Sequence, residues 1–302
     1  GEPLMAQPLI SQFFRKLRSS FDGDIQSDII TTGYHIDRNT VDLFRETGIS
    51  SVQITLDGCK ESHNKIKYTD GCSDVYSKTI ENSKMLADAL PDINIVFRVN
   101  ITKENAGEYP EVFKTLFSIF EGKRISVCPA IVKNSVPPCD GNKDKGSDSI
   151  YFTNTEFTDY IIDLLYKFGI HTPFIRYPGN QLCECAIRDK MAMAFDPEGY
   201  AYKCWEKIGD TRYAIGKLDG KGNLSELNIT ELNRELYGAD PLSSPVCTRC
   251  KYLPICNGGC PIDRIQNEFE GYTNELCAYY KGRIKEFMEA HIKLREAGYH
   301  NR

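Results

Sequence analysis

The sequence predicts an α/β protein in two parts, a parallel sheet covered by helices and then a smaller cysteine-rich domain. Two observations carry this. Through the first half, alternating polar and apolar segments are interleaved with segments of helical spacing, and strand–helix units of that length imply right-handed crossovers and parallel strands. After Tyr177-Pro178-Gly179-Asn180 the character changes to short strands, turns and cysteines, so the predicted domains are 1–177 and 178–302.

The elements follow in order. Leu9, Ile10, Phe13, Phe14, Leu17 and Phe21 fall at helical spacing and predict an amphipathic first helix. Ile29-Ile30-Thr31-Thr32-Gly33 reads as a strand with a terminal glycine, and Val41 to Thr47 as a helix entered near Asp37 and stopped by Gly48. Ser51 to Asp57 alternates and is a strand; Ser73 to Leu90 is a helix ended by Pro91. Ile93 to Asn100 alternates again, Pro110 suits a first helical turn with Val112, Phe113, Leu116, Phe117 and Phe120 behind it, and Ile125 to Val132 is a further strand. Asn134 to Ile150 reads as a long surface loop, and Phe157 to Phe168 as a helix ended by Gly169. Met191 to Phe195, a turn at Asp196-Pro197-Glu198-Gly199, and Tyr200 to Cys204 form a β-hairpin; Tyr279 to Leu294 is a closing helix.

The two alternating strands carry a polar face. Gln53, Thr55 and Asp57 oppose Val52, Ile54 and Leu56, while Asn94, Arg98 and Asn100 oppose Ile95, Phe97 and Val99. A parallel strand buried on both faces would be apolar on both, so the polar face is expected to line a cavity with its chemistry at the C-terminal strand ends. A structural Arg98–Asp57 ion pair is the competing expectation.

A net charge of -5 gives no basic footprint for nucleic acid, and no run approaches the roughly eighteen apolar residues of a membrane span. The thiols point to a reducing, cytoplasmic setting. The chain opens on Gly1, in what reads as the middle of a motif, so residues are expected upstream.

Cys247-x2-Cys250-x5-Cys256-x3-Cys260, with Cys277 beyond, is a soft-ligand array. Gly258 and Gly259 let the backbone bend tightly before Cys260. A zinc ribbon wants two separated Cys-x2-Cys hooks, a disulfide framework belongs to small secreted chains, and buried free thiols suit the scattered Cys59, Cys72, Cys128 and Cys139 but not a dense run. Iron–sulfur ligation fits best. The hairpin returns Cys204 beside the chain bearing Cys185 and needs a further ligand, for which Cys260 is placed.

Cys185-x13-Gly199-x4-Cys204, the array from Cys247 to Cys260, and Cys277 together resemble the seven-cysteine pattern of the SPASM domain that follows the barrel of many radical S-adenosylmethionine (SAM) enzymes. Gly1-Glu2-Pro3 resembles the end of that barrel's Gly-Gly-Glu-Pro motif, Thr31-Thr32-Gly33 its Thr-Asn-Gly segment, Ile54 to Gly58 its Ser/Thr-Leu-Asp-Gly strand end, and Arg98-Val99-Asn100 its Arg-x-Asn. The resemblance implies a partial (β/α)6 radical SAM barrel followed by a small cysteine-rich SPASM domain with a β-hairpin and C-terminal helix. It implies SAM contacts at Gly1, Glu2, Pro3, Thr55, Arg98 and Asn100, a guanidinium suiting the SAM carboxylate. It implies one auxiliary 4Fe–4S cluster on Cys247, Cys250, Cys256 and Cys277 and a second on Cys185, Cys204 and Cys260, whose fourth ligand is Cys183 or an open position.

The family's Cys-x3-Cys-x2-Cys loop, which holds its catalytic cluster, does not occur in the 302 residues, so that cluster is expected only in a longer chain and the fragment alone is expected to be inactive. The implied full-length activity is radical-based maturation of a ribosomally made peptide or protein, with a flavodoxin or ferredoxin as electron donor. Two alternatives stand beside it: an anaerobic sulfatase maturase, whose base is an Asp where this chain has Trp205, and a non-catalytic binding module stapled by its clusters.

Overall fold

The computed structural model describes residues 1–69, 71–133, 149–175, 185–189 and 191–298. The expected boundary at Tyr177 to Asn180, most of the Asn134–Ile150 loop, Cys139 and Cys183 lie outside the described residues. The described residues form two compact units, one from the chain up to residue 133 with 149–152 and 160–174, the other from 153–159 and from residue 175 onward.

The first unit is built on a four-stranded parallel sheet in the order β1 (Asp28–Thr31), β2 (Ser51–Leu56), β3 (Asn94–Ile101), β4 (Ile125–Ile131). The strands alternate as their sequence demands: Val52, Ile54, Leu56, Ile95, Phe97 and Val99 are fully buried, and Phe97 packs on Phe120 with ring centroids 5.0 Å apart. Helices α1 (Gln7–Ser20), α2 (Arg38–Thr47), α3 (Lys60–Ile66), α4 (Val75–Ala89) and α5 (Tyr109–Ile119) follow the chain, and α6 (Asn154–Phe168) lies beyond the loop. The punctuation is local chemistry. Asp37 and Thr40 form a reciprocal capping box at the start of α2, and Gly48, at φ 73°, closes it in the left-handed conformation. Short α3 escapes the periodicity argument because it spans only seven residues, too few to display a face.

Helix α1 forms as expected, but none of its residues is buried. It meets α2 through polar links, Ser11 to Glu46 at 2.8 Å and Arg18 to the Thr47 carbonyl at 2.8 Å, and leaves Leu9 and Phe13 64% and 59% exposed.

The second unit carries an antiparallel sheet, β5 (Ala194–Phe195), β6 (Tyr200–Tyr202), β7 (Gly216–Leu218) and β8 (Leu224–Ser225), in sequence order. Asp196 fixes the hairpin turn by accepting the Tyr200 amide and the Tyr202 hydroxyl, each at 2.8 Å. Short helices α7 (Ile229–Asn233), α8 (Pro245–Thr248) and α9 (Leu253–Cys256) lead to α10 (Pro261–Phe269) and α11 (Ile284–Glu296). The last helix starts at Ile284 and not at Tyr279: Tyr279 and Tyr280 instead pack their rings on Phe287, and the Tyr280 hydroxyl donates to the Ile255 carbonyl at 2.5 Å.

Candidate functional site

At the C-terminal end of the parallel sheet the register places Thr55 beside Arg98, so two of the expected SAM contacts share one face. Thr55 and Asn100 are half-buried and Arg98 is exposed. The expected Arg98–Asp57 ion pair is not made. Asp57, 6% exposed, accepts from Asn100 Nδ2 at 2.9 Å and lies 3.7 Å from His63 Nδ1 and 3.8 Å from Lys67 Nζ, while Arg98 Nε points to Asn100 Oδ1 at 3.4 Å. A carboxylate this buried is held by neighbours on the turn and strand that follow it, leaving the guanidinium free of direct pairing with it. Sequence reading missed His63, which α3 buries to 1% exposure where the Asp57 amide donates to its Nδ1 at 3.2 Å; desolvation first, then Lys67, lowers its pKa against the pull of Asp57.

Glu2 joins the first residues to the end of β1. Its carboxylate accepts from the Thr31 hydroxyl at 2.6 Å, the Thr32 amide and hydroxyl at 2.8 Å each, and the Leu4 amide at 3.1 Å. Burial alone would raise its pKa, and these four donors outweigh burial and hold it below the usual value, so the group is ionised at neutral pH. Two segments expected to act together are thereby tied by one side chain. The surface concavities lined by Leu4, Gln7 and Glu46 and by Tyr34, Asn82 and Met85 lie away from Thr55, Arg98 and Asn100.

The second unit carries Cys185, Cys204, Cys247, Cys250, Cys256, Cys260 and Cys277. Cys185, Cys204 and Cys260 pack against the buried Ile187, Ala239, Ile262 and Ile265. Burial pushes the Cys204 thiol up to about 11, with the charge of Glu206 and then the Cys260 and Cys185 sulfurs adding to the shift. Elsewhere Lys281 Nζ donates to Cys277 Sγ at 3.0 Å, and the Lys281 pKa rises chiefly through that bond, with Cys250 and Cys247 contributing. Arg264 Nη2 donates to Cys247 Sγ at 2.7 Å. Among the described residues no three His, Cys, Asp or Glu side chains are drawn close enough to hold a metal ion as they stand. The donor chemistry nevertheless fits thiolate-ligated clusters: Cys185, Cys204 and Cys260 pack on one apolar cluster, and Cys247 and Cys277 each take a cationic donor. Trp205, which follows Cys204, is 76% exposed.

Two buried carboxyls in this unit were not legible in the sequence. Glu231 and Glu235 are 3% and 2% exposed, the latter in a π-helical turn over Arg234–Gly238. Burial first, then Glu231, raises Glu235 to about 8 against the field of Lys203. A carboxyl raised in the folded state is most favourable below its unfolded pKa, and stability falls as pH climbs from about 4.5 to about 8. Glu235→Gln is therefore expected to raise the melting temperature by several degrees at pH 8–9, a gain on the order of 2 kcal/mol, and to leave it unchanged near pH 4; thermal melts across that range check this.

No family model matches the chain. It is 24% identical over 279 residues to the cysteine-type anaerobic sulfatase-maturating enzyme of Clostridium novyi (strain NT), covering 87% of this chain and 70% of that protein. To the enzyme of the same name from Clostridium perfringens (strain 13 / Type A) it is 25% identical, covering 96% and 79%. The solved structure of native anSMEcpe with bound AdoMet superposes with a TM-score of 0.65 at 21% identity over 98% of this chain and 82% of that one. Streptococcus suis SuiB superposes with a TM-score of 0.54 at 15% identity over 92% and 65%.

Proposed function

We propose that this chain, which belongs with the radical SAM/SPASM maturases, takes part in the radical-based modification of a peptide or protein, holding SAM at the polar strand ends of its first unit and two auxiliary 4Fe–4S clusters on the cysteines of its second. The observation that carries the reading is the placing of the thiols, Cys185, Cys204 and Cys260 on one apolar cluster and Cys247 and Cys277 each beside a cation. Relatives of the same fold are described with a bound Kp18Cys peptide and with the precursor peptide SuiA, which supports a peptide partner here.

When bound, SAM and a catalytic cluster supply hydrogen abstraction by a carbon radical. The chain's own residues do the rest. Glu2 keeps Gly1 and Pro3 against the end of β1, where backbone groups meet the SAM amino group. Thr55 and Arg98 would donate to the SAM carboxylate, and Asp57 accepts from Asn100, the third polar group there. Cys247, Cys250, Cys256 and Cys277 would hold one auxiliary cluster and Cys185, Cys204 and Cys260 the other, with Cys183 or an exchangeable site completing it. Lacking a Cys-x3-Cys-x2-Cys motif, these 302 residues by themselves are not expected to cleave SAM reductively. A small ferredoxin or flavodoxin in the cytoplasm serves as the electron source.

A second reading, sulfatase maturation proper, is favoured by the names of the two clostridial relatives. Against it, Trp205 stands where the resemblance places an Asp base. Anaerobic reconstitution is expected to give about eight irons per chain and no zinc, and calorimetry with SAM to show at least tenfold weaker binding for Arg98→Ala, about 1.4 kcal/mol. Colourless protein, or unchanged affinity in that variant, would remove the basis of the proposal.

A further inference from the structure

The guanidinium of Arg264 spans two elements of the cysteine array. It stands on α10, four residues after Cys260, and is 7% exposed. Its Nε donates to the Gly258 carbonyl at 2.6 Å and its Nη2 to Cys247 Sγ at 2.7 Å. Gly258 and Gly259 both have positive φ, 78° and 76°, a left-handed shape that glycine lets the turn between Cys256 and Cys260 adopt. One fork therefore fixes that turn and the first sulfur of the array together. Lys281 on Cys277 is the second cationic donor, but its charge is exposed to solvent.

A sulfur bonded to iron keeps lone pairs that accept hydrogen bonds, and hydrogen bonds and positive charge at the sulfurs stabilise the reduced, more negative state of a cluster. A buried cation acts through a low dielectric, whereas an exposed one is screened by water and salt. Resting on the reading of two auxiliary clusters, we infer that Arg264 is the positioning residue that raises the reduction potential of the cluster on Cys247, Cys250, Cys256 and Cys277, and that Lys281 contributes less. Its lysine replacement cannot serve both acceptors, because an ammonium lacks the planar fork.

The test is an EPR-monitored redox titration of the anaerobically reconstituted full chain, with iron counted in each sample. The signal that disappears in Cys250→Ala identifies the cluster. In Arg264→Met the reduction equilibrium is expected to shift at least tenfold toward the oxidised form, about 59 mV for a one-electron couple. Lys281→Met is expected to shift it less than threefold. Should Arg264→Met not retain iron, Arg264→Lys is read in its place, with an expected shift of at least about threefold. A cluster with full iron content and wild-type midpoint in the Arg264 variant read overturns the inference alone, as does a larger shift in Lys281→Met. Wild-type protein that takes up no iron overturns it together with the reading it rests on.

Discussion

Gly259→Ala is expected to abolish iron binding at Cys247, Cys250, Cys256 and Cys277 and to loosen the chain around them. A β-carbon at Gly259 would stand 1.9 Å from the Leu276 carbonyl oxygen, and the residue has φ 76°. The obstacle is backbone, so no rotamer change relieves it, and the residue next to Leu276 is Cys277 itself. Left-handed backbone costs about 1–2 kcal/mol for a non-glycine residue, and displacing a packed main chain adds several more. Gly271 is the control: it has φ 72° and open space around its missing side chain, so Gly271→Ala should cost only about 1 kcal/mol and keep its iron. Iron per chain and limited proteolysis of the two variants decide this. Equal iron in Gly259→Ala and wild type would show that the close approach to Leu276 does not govern the ligand set.

Glu2→Gln should detach the first six residues from the sheet. Both carboxylate oxygens receive two donors each, Oε1 from Thr31 and Leu4 and Oε2 from both groups of Thr32. An amide nitrogen at either place would face a backbone N–H that cannot turn away. Losing charge-assisted acceptors and meeting that repulsion is expected to cost about 2–3 kcal/mol at neutral pH. Because the folded-state pKa lies below the ordinary 4.5, the wild-type advantage is present above that value and is lost as pH falls through the folded pKa. Melts at pH 7 should therefore separate the two proteins by several degrees, and the gap should narrow as pH falls through the folded pKa. SAM affinity at pH 7 should fall with stability; a variant that melts early yet binds SAM as wild type does would dissociate the Glu2 anchor from cofactor binding.

Legibility of the fold followed the range of the interactions. The strands β2 and β3 were evident because alternation is a property of neighbours along the chain, and their parallel order followed from the helices between them. Helix α2 was bounded correctly by Asp37 and Gly48, since caps act within one turn. The resemblance to the SPASM pattern was likewise legible, in cysteine spacing. By contrast, the amphipathic pattern of α1 predicted the helix but not its exposure: Leu9 and Phe13 stay mostly in solvent, because a pattern states what a helix can bury and not whether a partner is present.

What the sequence determined by itself is thus the alternation of strands and helices, the places where they stop, and the supply of soft sulfur ligands, all set by residues within a few positions of one another. Only the tertiary structure decided that Asp57 turns to His63 and Asn100 instead of Arg98, that Glu2 reaches the Thr31-Thr32 corner, and that Arg264 lies on the Cys247 sulfur. Those choices depend on which polar groups are left without water once distant segments pack, and desolvation is a property of the assembled fold that no local run of residues encodes.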